Sequence, residues 1–367
     1  MRTSFLRLWL LRQVLSLPAA CLRFFAGGGV VYSNGRTLDP QIQFLWRSWF
    51  AGASTQPLSL TGKSLEQARQ EWQDMAALLG TPAAARVRIE DIGAEAVGSP
   101  YGPSPMRGLL IRPAAIADDA PLLVFFHQGG GVLGGPELSR AFCALFAHEA
   151  RCPVFIPEYR LAPLYRFPAA CEDARAAFEW AQANAFRLGA KSGGVAVGGA
   201  LTGAGLAARL CLDLRRDFKP LPVAQLLVTP LLDLADPAIK SGPPTGQWPL
   251  APADIDILIS HYAGAGVDPA DPRISPATEG VLAGQPRTLI VSAGLDGLAP
   301  QAEAFARRLL AARVRTIYRR YDTLPLGFDL FAGLVDDASD AVRDMAGLWT
   351  EMLRRVRETD SEPLDVA

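Results

Sequence analysis

The sequence VAVGGALTG spans residues 195–203, and it indicates the architecture of the whole 367-residue chain. Its apolar first half predicts a buried strand, and the glycines that follow predict a sharp turn into a helix. Gly199 and Gly203 have the spacing of the outer glycines in a G-x-S-x-G nucleophile elbow, a strand–turn–helix unit that presents a serine. The central residue here is Leu201, whose side chain cannot attack a carbonyl carbon.

Segments on both sides of this turn alternate between short apolar runs and longer helical patterns. Strands are predicted at Arg107–Arg112, Leu122–His127, Val154–Tyr159, Val195–Gly198, Gln225–Thr229, Thr288–Ser292 and Arg315–Tyr321. Helices are predicted at Ala169–Leu188, Thr202–Arg216, Pro300–Ala312 and from Ser339 to about Arg357. Apolar strands separated by crossover helices are typical of an α/β fold with a mostly parallel, doubly wound sheet that is covered on both faces.

The domain organisation follows from shifts in these patterns. The predicted parts are an N-terminal helical segment at 1–85, an α/β domain at 86–357 with a helical cap insertion at about 233–275, and a flexible tail at 358–367. Ser64 and Gln67 have the spacing of a capping box, which predicts a helix from there to Leu79. The insertion is rich in Pro, Gly and Asp and has one predicted helix, Asp254–Tyr262.

Composition narrows the range of partners. Half of the residues are apolar and the formal net charge is −1 without a basic block, so nothing points to nucleic acid. The five cysteines form no CxxC pair, which indicates reduced thiols and a cytoplasmic protein. Neither a metal site nor a cofactor motif is evident. The chain has three histidines, His127, His148 and His261, so few residues are available as a catalytic base.

The N-terminus has an apolar stretch that arginines interrupt. Residues 5–25 are mostly apolar, but Arg7, Arg12 and Arg23 leave no uninterrupted run near the ~20 residues that a membrane span requires. Arg12 also falls where a signal peptide would be apolar. Two interpretations stay open: a helix that packs over the domain, and a weak peripheral contact with a membrane.

Further motifs stand in a fixed order around the turn. They are His127-Gln128-Gly129-Gly130-Gly131 after a strand, Tyr159-Arg160-Leu161-Ala162-Pro163, Asp271-Pro272-Arg273-Ile274-Ser275-Pro276, Val291-Ser292-Ala293-Gly294-Leu295-Asp296, and Leu324-Pro325-Leu326-Gly327-Phe328. Glycines in the first motif allow backbone N–H groups to approach a developing oxyanion. The fourth motif ends a predicted strand with Asp296, whose carboxylate is expected to be exposed.

Together these motifs resemble the bacterial hormone-sensitive-lipase-like branch of the α/β-hydrolase esterases and lipases, over about residues 85–355. The resemblance implies an α/β-hydrolase fold with a helical cap and a Ser–Asp–His triad in that chain order. It assigns Asp296 as the triad acid. It also assigns the backbone N–H groups of Gly129, Gly130 and Thr202 as oxyanion donors.

Several positions depart from the family pattern. Leu201 stands where the family has its nucleophilic serine, and Leu326 where it has its histidine. Ala200 replaces an aspartate that is common before the serine, and Gln128 replaces the first glycine of the oxyanion loop. A serine needs a base to accept its proton, and the acid only orients that base. With both groups missing, Asp296 has nothing to orient.

Three functional hypotheses remain. The first is a disarmed hydrolase that binds a small lipophilic or ester-like ligand or a protein partner, such as a second copy or an active paralogue. The second is an active enzyme, either an esterase with a displaced nucleophile or a non-hydrolytic catalyst that uses the glycine loop. The third is a structural or regulatory subunit that pairs with an active paralogue. A separate interpretation of Leu201 and Leu326 is that they are ordinary core and close the pocket against a ligand.

The backbone at the turn provides a separate test. In active members the residue at the elbow has a strained backbone with positive φ, which costs about 1–3 kcal/mol. A leucine at that position has no catalytic reason to keep the strain. We therefore expect either a relaxed turn at Leu201 or a strained one that glycine packing enforces.

Overall fold

The computed structural model describes residues 2–33, 35–50, 60–79, 86–99, 102–240, 252–264 and 266–360. The strands are β1 (Tyr32–Ser33), β2 (Arg36–Thr37), β3 (Val87–Ser99), β4 (Gly102–Pro113), β5 (Leu122–Phe126), β6 (Val154–Pro157), β7 (Val195–Ala200), β8 (Gln225–Val228), β9 (Thr288–Leu295) and β10 (Thr316–Pro325). The helices are α1 (Arg2–Leu15), α2 (Ala19–Phe25), α3 (Pro40–Phe44), α4 (Leu65–Leu79), α5 (Arg140–Ala150), α6 (Ala169–Ala183), α7 (Thr202–Arg216), α8 (Pro252–Ala263), α9 (Ala299–Ala311) and α10 (Asp336–Asp360).

Eight strands form one sheet in the order β3-β4-β6-β5-β7-β8-β9-β10. β3, β4 and β6 pair antiparallel, whereas every pair from β6 to β10 is parallel. β5 lies between β6 and β7, so the order of the parallel strands reverses beside β5, and ligands of α/β folds bind at such a switch point. The predicted α/β fold with a mostly parallel sheet is confirmed.

Strand β3 is missing from the sequence prediction. It is an edge strand that pairs only with β4, and charged residues such as Arg88, Glu90 and Asp91 interrupt its apolar positions. A strand at the edge of a sheet needs less apolar cover than a central one, so it carries no continuous apolar run. By contrast, β5 and β7 are buried at every residue, which is why their apolar runs are visible in the sequence.

In its described residues, the N-terminal segment contains four α-helices, a short π-helix at Leu45–Phe50 and a hairpin of β1 and β2. The predicted capping box is confirmed, because Ser64 N–H donates to Gln67 Oε1 and Gln67 N–H donates to Ser64 Oγ. At the other end of the chain, α10 continues to Asp360, three residues beyond its predicted end, and residues 361–367 of the predicted tail lie outside the described residues. The domain division at residue 85 stays a prediction.

Within the described residues, no single helix combines the length and apolar composition needed to cross a membrane. Leu8–Leu15 and Ala19–Phe25 meet the length and composition criteria only as a pair, and they are bent by 120° relative to each other.

Candidate functional site

Leu201 lies at the tip of the turn between β7 and α7, at the carboxyl end of the sheet. Its backbone has φ 54° and ψ −115°, a conformation that L-residues rarely adopt. Three backbone hydrogen bonds hold it there. Its N–H donates to Val228 O at 3.0 Å, and its carbonyl accepts from Leu231 N–H at 3.1 Å and from Gly205 N–H at 3.2 Å. The strained elbow is therefore present, and the expectation of a relaxed turn is wrong.

The two flanking glycines explain why the strain persists. A Cβ on Gly199 would lie 2.2 Å from the carbonyl carbon of Gly203, and a Cβ on Gly203 would lie 2.0 Å from Phe126 O. The first turn of α7 thus packs directly against the strand backbones, without space for a methyl group. Close packing enforces the turn, as the second of the two expectations states.

Leu201 and Leu326 meet in one apolar cluster, although 125 positions separate them in the sequence. The cluster consists of Leu201, Leu231, Ile239, Ile255, Ile259, Leu298 and Leu326. Leu201 and Leu298 are buried, whereas Leu231 and Leu326 are half-buried. Because Leu231 and Leu326 keep partial exposure, one side of this cluster is open to solvent, and we call that open side the elbow cleft.

Asp296 follows β9, and its carboxylate is buried. Asp296 Oδ1 accepts from Leu298 N–H at 2.7 Å, in the turn just before α9. Asp296 Oδ2 is out of contact with solvent and has no hydrogen-bond partner among the described residues. Burial raises the pKa of this carboxyl to about 7, against the smaller lowering effect of backbone hydrogen bonds from Leu298 and Ala293.

The prediction of an exposed carboxylate at Asp296 is therefore wrong. The residue as a whole keeps partial exposure, but its side chain turns inward at the start of α9. Residue 201 has no hydroxyl and residue 326 has no imidazole, so the carboxyl to which the family resemblance assigns the role of triad acid has neither of the partners that the resemblance implies. An unpaired buried carboxyl with a raised pKa is protonated in a large fraction of molecules at neutral pH, and it can then donate a hydrogen bond.

The glycine loop, Gly129–Gly131, lies beside the elbow. Its residues have φ values of 131°, 68° and 68°, which favour glycine at every position. Gly130 N–H, one of the predicted oxyanion donors, donates to Thr202 Oγ1 at 3.1 Å. The side chain of the residue after Leu201 therefore occupies a backbone donor that the family directs at its substrate.

Helix α8, from the predicted cap insertion, packs against this loop. A Cβ on Gly130 would lie 3.1 Å from the Leu258 side chain, and a Cβ on Gly131 would lie 2.5 Å from the Tyr262 ring. The same helix contributes Ile255 and Ile259 to the apolar cluster. The insertion thus covers both the loop and the elbow.

Gln128 and Ala200, both predicted site residues, point elsewhere. Gln128 is buried, and its Nε2 donates to Asp329 Oδ2 at 2.9 Å, so its amide serves the fold and is not available to a ligand. Ala200 is fully buried at the end of β7 and belongs to the main core. Both side chains are enclosed by neighbouring elements, which the sequence pattern did not indicate.

Asp329 was missed by the sequence analysis. It lies in a 3-10 turn, Phe328–Phe331, just after Leu326, and burial raises the pKa of its carboxyl to about 7. Asp329 Oδ1 has no partner among the described residues. The bond from Gln128 therefore ties the glycine loop to the segment that carries Leu326. In the sequence, the only indication that Asp329 belongs to the site is that it is the one acidic residue in the otherwise apolar run Leu326–Phe331.

His127, the histidine of the glycine-loop motif, does not replace the missing base. His127 is buried, its Nδ1 lies 2.8 Å from Gln128 O, and its ring stacks on Tyr159 with centroids 4.1 Å apart. Burial lowers the pKa of His127 to about 4, so the ring is neutral. It faces a different cavity of about 670 Å³, which includes Glu137 and Arg140 but neither leucine of the elbow cleft.

Comparisons with known proteins agree with this geometry. The alpha/beta hydrolase fold family matches residues 123–330. The carboxylic ester hydrolase LipN of Mycobacterium tuberculosis is 33% identical over 323 residues, which cover 85% of this chain and 82% of LipN. An esterase of Pyrobaculum calidifontis has a TM-score of 0.71 at 27% identity, over 79% of this chain and 94% of that one. A bacterial heroin esterase has a TM-score of 0.72 at 25% identity, over 86% and 98%. The chain therefore belongs to the hormone-sensitive-lipase-like esterase family of the α/β-hydrolase fold.

Proposed function

We propose that this protein does not hydrolyse esters through an acyl-enzyme and that its elbow cleft binds a small, neutral, lipophilic ligand. The observation that carries the proposal is the packing of Leu201 and Leu326 in one apolar cluster. These are the two positions where the family has its nucleophile and its base. The family relationship by itself favours ester hydrolysis, so the proposal has to be tested by direct assays.

The missing groups account for the proposed loss of activity. Removing members of a Ser–His–Asp triad lowers the rate by about 10⁴–10⁶, and what remains comes from oxyanion stabilisation and substrate binding. Here the Gly130 N–H already donates to Thr202 Oγ1, which weakens that remaining contribution as well. Asp296 cannot act as the nucleophile's base, because residue 201 has no proton to transfer.

The same cleft has the features of a ligand site. Leu231, Ile255, Ile259 and Leu326 are half-buried, so they offer apolar surface to a molecule from solution. Asp296 lies two residues before Leu298 of the cluster, and its Oδ2 has no hydrogen-bond partner in the part of the chain that the structure describes. A ligand with an apolar body and one carbonyl or hydroxyl group would satisfy both features, because a protonated carboxyl donates one hydrogen bond.

The first experiment tests the loss of hydrolysis. The full chain is incubated with a fluorophosphonate probe and, separately, with p-nitrophenyl butyrate. We expect no labelling and no hydrolysis above buffer, because no activated hydroxyl is present at the elbow. Labelling, or saturable hydrolysis that the cleft-filling variant Leu326→Trp abolishes, would overturn the proposal.

Restoring the triad tests whether the frame is still competent. The combined variant Ala200→Asp, Leu201→Ser and Leu326→His is expected to gain hydrolysis over the parent. Adding Asp296→Asn to this variant is the control, and it should remove most of the gain because the introduced histidine loses its orienting acid. Gain without dependence on Asp296 would mean that another group acts as the acid.

Ligand binding needs its own assay. N-phenyl-1-naphthylamine is a neutral apolar probe whose fluorescence rises when it leaves water. We expect saturable binding that Ile259→Asp weakens by about tenfold or more, because the charge falls within the apolar wall. Leu310→Asp is the matched control, since Leu310 is 53% exposed on a different helix, α9. Equal probe affinity in the two variants would contradict binding at the cleft.

A further inference from the structure

The N-terminal segment has an unusual charge distribution. Before Asp39 the sequence contains no acidic residue, but it contains five arginines: Arg2, Arg7, Arg12, Arg23 and Arg36. The chain as a whole has a net charge of −1, so the N-terminal segment has a net positive charge and the rest of the sequence has a net negative charge. Arg36 pairs with Asp322 at 2.8 Å, whereas Arg12 and Arg23 form no ion pair with any described residue.

The same segment exposes an unusual share of apolar surface. Of the fourteen large apolar side chains that are exposed in the described residues, seven lie between residues 9 and 32: Trp9, Leu10, Leu17, Phe24, Phe25, Val30 and Tyr32. Phe24 is 76% exposed, Phe25 57% and Trp9 51%. Single exposed apolar residues are normal on a protein surface, but such a concentration in one short segment marks an interaction surface.

This surface is held firmly on the domain. Leu11 and Leu15 of α1 and Leu22 of α2 are buried, so the helices are apolar on an inner as well as an outer face. Gln41 Nε2 donates to Leu15 O at 3.0 Å, and Ser48 Oγ donates to Phe25 O at 2.8 Å. Because each helix is anchored at its end, its outer side chains are held in place at the surface of the fold.

We propose that the exposed side chains of α1 and α2, together with Arg12 and Arg23 of the same helices, form a patch that docks the protein on an anionic phospholipid surface. Segments that lie in the membrane interface are typically rich in Trp, Phe and Leu, with Arg nearby. The aromatic rings enter the headgroup region, and the arginines interact with lipid phosphates. The proposal is independent of the proposed ligand site.

Charge decides between lipid and a second copy of the chain as the occupant. A symmetric contact would bring the patch against itself, and the arginines of both copies would meet without a single acid from either segment. An anionic bilayer supplies the missing negative charge.

The experiment is cosedimentation of the full chain with vesicles of phosphatidylcholine alone or of phosphatidylcholine mixed with phosphatidylglycerol. We expect binding to the mixed vesicles that weakens as salt is raised. Phe24→Ser with Phe25→Ser should lower the affinity by about tenfold or more, because two rings lose their transfer into the interface. Arg23→Gln should lower it by about fivefold on mixed vesicles only.

The matched control is Phe218→Ser. Phe218 is 96% exposed just after α7 and lies outside the patch, so its loss should leave vesicle binding unchanged. Circular dichroism verifies that each variant is folded. Equal binding of the parent and the double phenylalanine variant would overturn the proposal, and so would the absence of binding to both kinds of vesicle.

A bound form that resists high salt and carbonate would show insertion into the bilayer, which would also overturn docking on its surface. A dimer in sedimentation velocity that the double variant abolishes, without vesicle binding, would show a second copy as the occupant.

Discussion

At the elbow cleft, the backbone conformation matches what the family resemblance implies, whereas the side chains differ from the family pattern. The backbone keeps the family geometry, with a positive φ at Leu201 and three positive-φ glycines in the adjacent loop. The side chains depart from the family pattern, because leucines stand at the positions where the resemblance predicts a serine and a histidine. Gly199 and Gly203 have no room for a methyl group, whereas residues 201 and 326 carry large side chains in a cluster that is partly exposed.

The difference teaches what holds each feature in place. Strain at an elbow is usually explained by the function of the residue that carries it. In this protein the strain persists at a residue that cannot be a nucleophile, so packing around it is sufficient to maintain it. The side chains at residues 201 and 326 are not fixed by close backbone packing of this kind, so they can change without disturbing the sheet.

The largest expected effect is on the packing that holds the backbone. Gly203→Ala should cost more than the ~1–3 kcal/mol typical of overpacking, because the new methyl group would collide with the Phe126 carbonyl and no side chain can move away. We expect a strong loss in the free energy of unfolding, measured by urea denaturation, or no folded protein. Gly347→Ala is the control: Gly347 is exposed in α10 with nothing within 4 Å of a Cβ, so this change should stabilise by about 0.5–1 kcal/mol. Equal stability of the Gly203→Ala variant and the parent would break the packing explanation.

The next effect concerns the two buried carboxyls that flank the missing triad groups. Asp296 and Asp329 both have a pKa raised to about 7 by burial, from 3.8 in the unfolded chain. The folded protein therefore binds their protons more tightly than the unfolded chain does. The stability that they contribute is complete below about pH 4 and is lost as pH rises through about 7.

Substitution with asparagine tests whether the stability contributed by these carboxyls falls as the pH rises. Asp329→Asn keeps an oxygen that accepts from Gln128 and removes the charge, so the variant should gain stability relative to the parent between about pH 5 and pH 8. A difference of about 1 kcal/mol or more is expected in urea denaturation. Asp118→Asn is the control: Lys191 lowers the pKa of this exposed carboxyl, so its removal should act in the opposite direction and more weakly. A parent and an Asp329→Asn variant with the same pH dependence would contradict the buried, protonated carboxyl.

The smallest effect concerns the hydrogen bond between Thr202 and the glycine loop. Thr202→Ala, added to the triad-restoring variant, would free the Gly130 N–H for the oxyanion. Because a neutral hydrogen bond contributes about 1 kcal/mol, we expect ester hydrolysis to rise by about fivefold in kcat/KM. Thr202→Ser keeps a hydroxyl at this position and should show no such rise. If both variants gain equally, the hydroxyl does not compete for the loop.

The order of elements was predictable wherever the local signal was strong. Helix α7 begins and ends where predicted, because a glycine turn precedes it and a continuous helical pattern fills it. The parallel strands were predicted from their apolar runs. The antiparallel edge strand β3 was not, because its partly solvated position allows charged residues that hide the pattern.

The sequence by itself determined the available chemistry, since a leucine at residue 201 and another at residue 326 exclude a nucleophile and a base at those positions. Only the tertiary structure decided where the remaining polar groups point. Asp296 is buried, Thr202 bonds to Gly130, and Gln128 bonds to Asp329. Each of these features depends on segments that are distant in the chain and adjacent in the fold, and burial of this kind leaves no local pattern to detect.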